Sequence, residues 1–309
     1  MDQPLKNKAA PILAKQTISE AFGVILRHNF DYMLSWVPAA YDGKDIEGVH
    51  QVRVAFRRMR SALVLFRKAV PREITDSWGE EMKWIASEMG PARDLDVFID
   101  EGLEQMAGKI PLESGEEKFV VIAHAHRAKA YERVRAMFDG DRYKSFVKNF
   151  DIWLNEFGWF QEDLSPAVRA KLNTTIRLYA AKTLNKRVTK VLQAGERKNE
   201  MSIDELHQLR IEGKKLRYAS NFFSPMFEGE GMDSFNAHLK SLQGLLGTMN
   251  DVSVMPGLIQ GLLDGVDDVE THQFAGAAIG WRAREYEEVR GELESRWDAF
   301  AGTAFPWLK

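Results

Sequence analysis

The chain has 309 residues, a formal net charge of −3, 45% hydrophobic and 28% charged residues, and no cysteine. This balance suits a globular protein with a sizeable core and differs from the overall basic charge of a protein that coats nucleic acid non-specifically. The missing cysteines exclude disulfides, thiolate metal sites and thiol catalysis. The N-terminal run Met1-Asp2-Gln3-Pro4-Leu5-Lys6-Asn7-Lys8 lacks the apolar core of a signal peptide, and no stretch is long and apolar enough to span a membrane. The expected location is the cytoplasm.

Nearly every segment reads as helix, so the predicted fold class is all-α. In the first half the helices are expected over about 12–37, 45–69, 73–89, 92–107, 115–138 and 142–158. In the second half they are expected over about 166–194, 203–224, 232–247, 252–263 and 268–300. Pro38, Pro71, Pro91, Pro111, Pro166 and Pro225 fall at the edges of these segments, where proline punctuates helices. Segment 108–117 reads as a loop, and the short link near 159–166 as a boundary between units that pack into one body.

The second predicted helix carries Val49-His50-Gln51-Val52-Arg53-Val54-Ala55-Phe56-Arg57-Arg58-Met59-Arg60. The same pattern returns 157 residues later as Leu206-His207-Gln208-Leu209-Arg210-Ile211-Glu212-Gly213-Lys214-Lys215-Leu216-Arg217. At about 100° per residue, His50, Arg53, Arg57 and Arg60 share an arc of roughly 80°. Val52, Phe56, Met59 and Leu63 occupy the opposite, core-facing flank. His207, Arg210, Lys214 and Arg217 repeat the polar stripe, while Arg58 and Lys215 point aside. Three cations one turn apart repel by a few tenths of a kcal/mol each, so an anionic ligand or a set of the protein's own carboxylates must relieve them.

Two further matches follow. Met89-Gly90-Pro91-Ala92-Arg93-Asp94 pairs with Leu246-Gly247-Thr248-Met249-Asn250-Asp251 at the same offset. There Gly90 and Gly247 read as helix C-caps, and Asp94 and Asp251 as N-caps or as partners that orient a motif arginine. Arg127 to Arg135 pairs with Arg282 to Arg290 at an offset of 155, suggesting a second basic row in each half. The three matches define repeat units of 12–160 and 165–309 within a single body of 12–309. Arg27 in the first helix of one unit and Asn185, Lys186 and Arg187 in the other add candidate basic positions. Acid is segregated elsewhere, as in Asp94-Asp96-Asp100-Glu101-Glu104 and Asp264-Asp267-Asp268-Glu270, which favours a focal polyanion site.

The doubled motif, His-x-x-Arg-aliphatic-x-x-basic-basic-x-Arg with Gly-x-x-x-Asp after each copy, resembles the CHAD family, the conserved histidine α-helical domains. The likeness covers nearly the whole chain. It implies two pseudo-symmetric helical bundles around a basic surface or channel, binding of inorganic polyphosphate, and association with polyphosphate granules. Carried over by position, the polyphosphate-binding residues are His50, Arg53, Arg57, Arg58, Arg60, His207, Arg210, Lys214, Lys215 and Arg217. Arg27, Arg127, Arg135, Lys186, Arg282 and Arg290 are additional candidates from the residue pattern. The second copy departs from the first by Gly213 opposite Phe56 and by lysines at both basic-pair positions, which give point charges where arginine gives a bidentate fork. Many family members carry a preceding triphosphate-processing domain marked by Glu-x-Glu-x-Lys. The nearest string here, Glu292-Leu293-Glu294-Ser295-Arg296, lies in a helical context, so the chain is expected to be the helical domain alone.

Two rival classes share some of these features. A metal site or metal-dependent phosphohydrolase would use His50 and His207, but neither has a second histidine or a carboxylate at helical metal-site spacing, and His124 and His126 point apart at i, i+2. A nucleic-acid module would want exposed aromatics among the cations, and a protein-binding module an acidic partner. No catalytic constellation is present: segment 102–110 misses a P-loop by one residue of spacing and lacks its Ser or Thr. The expected activity is therefore binding, without catalysis, metal or cofactor.

Overall fold

Thr17 and Ser202 each start a helix by the same device. The Thr17 hydroxyl accepts the Glu20 amide at 3.1 Å while the Glu20 carboxylate accepts the Thr17 amide at 2.8 Å, and Ser202 and Glu205 form the matching capping box. Each box satisfies two backbone donors that a helix N-terminus leaves free. The computed structural model describes residues 3–161, 163–196, 200–227 and 229–308. Met1 and Asp2 of the expected signal-free N-terminus, Glu162 of the expected link and Lys309 at the end of the second expected unit lie outside the described residues.

The described residues form an all-α fold, without a strand. The first half holds α1 (Ile18–Asp42), α2 (Ile46–Phe66), α3 (Arg72–Glu88) and α4 (Gly90–Val97), then a π-helical turn (Phe98–Leu103) and α5 (Glu104–Met106). It ends with α6 (Glu113–Asp139) and α7 (Asp141–Asn155). The second half holds α8 (Pro166–Leu172), α9 (Ile176–Gly195), α10 (Ile203–Phe223), α11 (Glu230–Leu262), α12 (Val269–Gly291) and α13 (Leu293–Ala301).

Several boundaries differ from the sequence expectation, each for a local reason. Helix α1 begins at Ile18 because Thr17 caps it, and it runs through Pro38 to Gly43, whose φ of 73° ends it. A β-carbon on Gly43 would also lie 2.5 Å from the Tyr131 ring, so glycine is required there twice over. The segments expected at 232–247 and 252–263 are one helix, α11. Gly247 is helical rather than a cap: Leu242, Leu246 and Met249 anchor α11 in the larger apolar cluster before and after it, and Met255 and Ile259, on the other side of the helix, anchor it in a second. Gly90 likewise opens α4 rather than capping α3. Asp94 and Asp251 therefore sit inside helices, not at N-caps. The expected helix 166–194 breaks at residues 173–175, where Thr17 and Thr175 form an isolated antiparallel bridge that sets the starts of α1 and α9 side by side.

Two apolar clusters hold these helices, and each draws on both halves of the chain. In the larger one Phe66 of α2 lies 5.5 Å from Tyr179 and 6.1 Å from Phe223, ring centre to ring centre. In the smaller one Phe119 of α6 packs against Phe274 of α12 at 5.7 Å, with Phe98, Met255 and Ile259 beside them. Gly213 fills its place through a different exchange of volume. Its counterpart 157 residues earlier is the buried Phe56, and a β-carbon at 213 would meet the buried Gln243 amide at 2.0 Å. The residue 157 before Gln243 is the small Ala86. The glycine therefore packs tightly against Gln243.

A buried polar cluster fixes α4 to α6 and to the α1–α2 turn. Arg127 donates to Asp96 at 2.7 Å and to the Gly43 carbonyl at 2.9 Å, and lies over the Tyr131 ring. The Tyr131 hydroxyl donates to the other Asp96 oxygen at 2.8 Å. Burial raises the Asp96 carboxyl above its ordinary value despite the opposing pull of Tyr131 and Arg127. Asp96→Ala would leave the guanidinium and phenol without their acceptor and is expected to lower unfolding free energy by about 3 kcal/mol in chemical denaturation. A loss below the resolution of that measurement would show the cluster to be incidental.

Candidate anion-binding site between the two motif helices

Asp45 accepts the Glu47 amide at 2.9 Å to cap α2, and the Ser202 box caps α10, so each motif helix begins four or five residues before its histidine. Val49, Val52, Phe56 and Met59 on α2, and Leu206, Leu209 and Leu216 on α10, are buried. Their burial turns the polar stripes away from the core, and the two helices pack against each other. Beside that seam lies a cavity of about 570 Å³. Its walls carry His50, Arg53 and Arg57 from α2, and Arg210 from α10. Arg93 and Asp94 enter from α4, Asp251 from α11, and Arg282 and Glu285 from α12, with Glu101 at the π-helical turn.

Five arginines and four carboxylates thus share one cavity, and their pairing is incomplete. Arg53 donates to the Ala86 carbonyl and lies near enough to Asp94 to feel its charge. Arg210 is 3.7 Å from Asp251, an ion pair without a hydrogen bond. Arg282 pairs with Glu285 at 2.5 Å. Arg57 makes no hydrogen bond or ion pair among the described residues. The buried Nε–H groups of Arg53, Arg57, Arg210 and Arg282 all lack a hydrogen-bond acceptor among the described residues. No other arginine among the described residues has a buried Nε in that condition. Leaving a buried charged donor unmade costs about 1–3 kcal/mol, so four around one cavity mark a place shaped for an external acceptor.

Electrostatics point the same way. Burial, reinforced by Arg93, lowers the His50 imidazole to about 4. Burial, reinforced by Arg210 and Arg57, lowers the Lys214 amine to about 8. Burial likewise lowers Arg53 and Arg210, with neighbouring arginines adding to the effect. An arginine stays protonated even so. Burial also raises the Asp94 carboxyl, with Asp251 opposite adding to the rise and Arg53 opposing it.

The family model for the CHAD domain matches residues 24–260. The chain belongs to the CHAD family. Its fold is similar to the crystal structure of the CHAD domain from the plant Ricinus communis, at a TM-score of 0.83 and 22% identity, covering 98% of each chain. It is also similar to PptA from Streptomyces chartreusis, at a TM-score of 0.66 and 14% identity, covering 92% of this chain and all of that one. A search of curated proteins found no match.

Within this CHAD domain the motif residues divide into groups. His50, Arg53, Arg57 and Arg210 reach the cavity. His207 does not line it: the ring is exposed and meets the Asn250 side chain at 2.7 Å. The two histidines nevertheless keep one relation, since residue 43 positions later is Arg93 for His50 and Asn250 for His207. Lys214 and Arg217 follow Arg210 along α10 outside the cavity wall. Arg60 and Lys215 line a neighbouring cavity of about 620 Å³ that also contains Arg57, and Lys215 is held by Glu212 at 2.5 Å. Arg58 faces elsewhere, donating to Asn7 at 2.7 Å and lying near the Tyr32 ring.

Most of the additional candidates serve the protein itself. Arg27 binds Asp151 at 2.6 Å and Asn155 at 2.8 Å, and Arg127 belongs to the Asp96 cluster. Arg290 donates, at 3.4 Å in each case, to the Tyr286 hydroxyl and the Met201 carbonyl. Arg135 makes no ion pair among the described residues and lies outside the cavity, Lys186 lies in a separate cavity, and Arg282 alone of these reaches the motif site. The residue that the motif comparison missed is Arg93. The second half has Asn250 in its place, so no repeated cation marked it.

Converging cations without a ligand destabilise a fold, a common feature of binding sites. Arg57→Met keeps most of the stem volume and removes the unpaired charge. We expect it to raise the unfolding free energy of the ligand-free protein by about 0.5–1 kcal/mol. A clear fall in stability would mean that the guanidinium is structural.

Proposed function

We propose that this CHAD domain binds inorganic polyphosphate, with its main contacts in the cavity beside the α2–α10 seam, and that it does so without catalysis. The observation that carries the reading is the set of four buried arginine Nε–H groups without acceptors, contributed by both motif copies and by α12. Each phosphate of such a polymer offers charged oxygens in the geometry that guanidinium forks match. Family membership supports the same ligand, because the CHAD family is associated with polyphosphate. We also read the chain as two pseudo-symmetric units, about 12–160 and 165–309, that present a basic channel. The meeting of Arg57 with Arg210 and the bridge joining Thr17 to Thr175 support that reading. A cytoplasmic setting, on or near polyphosphate granules, completes it.

The rivals make different demands. Among the described residues no group of three or more His, Asp or Glu side chains is arranged to hold a metal ion, which favours the anion reading over a metallohydrolase. Phe98, the aromatic of the cavity, is buried at its wall and offers no platform for stacking bases.

Neutralising Arg57→Gln and Arg210→Gln should each weaken polyphosphate binding about tenfold or more, since each removes a charged hydrogen bond worth roughly 1.5–3 kcal/mol. Arg53→Glu is a poorer probe, because it would set a new carboxylate beside Asp94. For the wild type, log affinity should fall linearly with log salt by about 0.7 per phosphate contact, by analogy with single-stranded nucleic acids. The titration is read by fluorescence or calorimetry with circular dichroism as a folding control. Affinity that ignores both salt and the two substitutions would refute the site.

The pH profile has its own signature. An anion beside His50 raises its pKa from about 4, so binding takes up a proton. Affinity should climb as pH falls through the bound-state value and level off below about 4. Lys214, near 8 in the free protein, is also raised by the anion. Affinity should therefore decline as pH rises past 8. A single rise centred on an ordinary histidine value would contradict this.

A further inference from the structure

The motif cavity is not the most uniformly basic one in the molecule. A separate cavity of about 410 Å³ lies where the end of α2 meets α8 and α9. Lys68, Lys171, Lys182, Lys186 and Arg187 line it, and it contains no carboxylate. Lys171 donates to the Lys68 carbonyl, tying α8 to the end of α2. Lys68, Lys182 and Lys186 are exposed and form no ion pair among the described residues. On α9, Lys182 and Lys186 stand one turn apart and project to the same side, an arrangement that repels itself unless an anion lies between.

Shared walls join this cavity to the motif site. Arg57 lines both the motif cavity and its neighbour of about 620 Å³. Arg187, together with Val64 and Leu65, lines both that neighbour and the lysine cavity. Three hollows therefore adjoin one another along α2 with a cation at each border; Asp76 and Glu80 also line the middle one, and Arg187 lies 3.9 Å from Glu212. From His50 to Lys68 this path runs ~27 Å at the helical rise per residue. Anions the size of tripolyphosphate or a mononucleotide would fill one hollow only.

We propose that the lysine cavity is a second subsite for the same linear polyanion, so that the domain selects long polyphosphate over short. This rests on the polyphosphate reading above. A polymer seated on Arg57 and Arg210 would continue past Arg60 and Arg187 and finish among Lys68, Lys182 and Lys186. Engagement of the second subsite is then intramolecular, and affinity rises with chain length until the path is filled. A nucleic-acid strand suits the lysine cavity less well. The nearest ring, Tyr179, stacks on Phe66 at 5.5 Å and gives its hydroxyl to the Leu65 carbonyl, so it is committed to the core.

The test compares tripolyphosphate with long-chain polyphosphate on the wild type, on Arg57→Gln, and on the triple variant Lys68→Gln, Lys182→Gln, Lys186→Gln. The three lysines are exposed, so the triple variant should retain wild-type circular dichroism and melting. For the wild type, the long chain should bind more than tenfold tighter than tripolyphosphate. In the triple variant the long chain should lose at least tenfold, with its salt slope shallower by about 2, while tripolyphosphate stays within twofold. Undiminished long-chain binding by the triple variant, alongside a loss in Arg57→Gln, would overturn the second subsite and leave the first standing. Equal losses for both polymers would also overturn it. Binding of neither polymer by the wild type would overturn the polyphosphate reading itself, and tighter binding of single-stranded RNA than of long polyphosphate would replace the ligand class.

Discussion

Arginine side chains from two packed helices, held facing one cavity with N–H groups that the protein does not satisfy, set the terms for the rest of this structure. Folding normally eliminates buried donors without acceptors, and repulsion among converging cations adds to their cost. The fold bears both because α2 and α10 bury strong apolar faces on their other sides, anchored by Phe56, Phe66 and Phe223. Those faces fix the rotation of each helix, and the rotation fixes where the arginines point. Capping boxes at Thr17 and Ser202 and the Asp96–Arg127–Tyr131 cluster supply the rigidity that keeps them there.

The carboxylates in the cavity have a moderating role. Asp94 and Asp251 stand opposite each other, one beside Arg53 and the other beside Arg210. They limit the repulsion among the arginines in the free protein without closing hydrogen bonds to the Nε–H groups. A polyanion arriving at the site replaces weak contacts, such as the 3.7 Å pair of Arg210 and Asp251, with short charged hydrogen bonds. The contrast with the lysine cavity follows. That surface is open to water, needs no internal counter-ions, and contributes point charges where the inner site contributes forked donors.

Much of this was legible in the sequence, because helix periodicity and register survive translation into structure. The all-α class, the extent of both motif helices and the burial of Val52, Phe56, Leu209 and Leu216 follow from 3.6-residue spacing alone. The convergence of Arg53, Arg57 and Arg210 was implied by the doubled motif and by the family resemblance. What failed depended on contacts distant in sequence. Gly90 and Gly247 carried the local signature of helix ends, but Gly90 opens α4 and Gly247 lies inside α11, which is anchored in an apolar cluster on either side of it. Arg27 and Arg127 looked like free cations until Asp151 and Asp96 were placed beside them by the fold. Arg93, Lys68 and Lys182 were overlooked because repetition was the signal, and these positions are not repeated. The depression of the His50 pKa comes from burial among arginines of three helices, which no pattern within the motif marks.

The most direct measurement is nitrogen-15 NMR of the arginine Nε–H groups, followed as long-chain polyphosphate is added. If the cavity is the binding site, the Nε–H signals of Arg53, Arg57, Arg210 and Arg282 should shift together and gain protection from exchange with water, while that of Arg127, already bonded to Asp96, stays in place. Shifts confined to exposed arginines such as Arg217, with those four signals unmoved at saturation, would contradict the account.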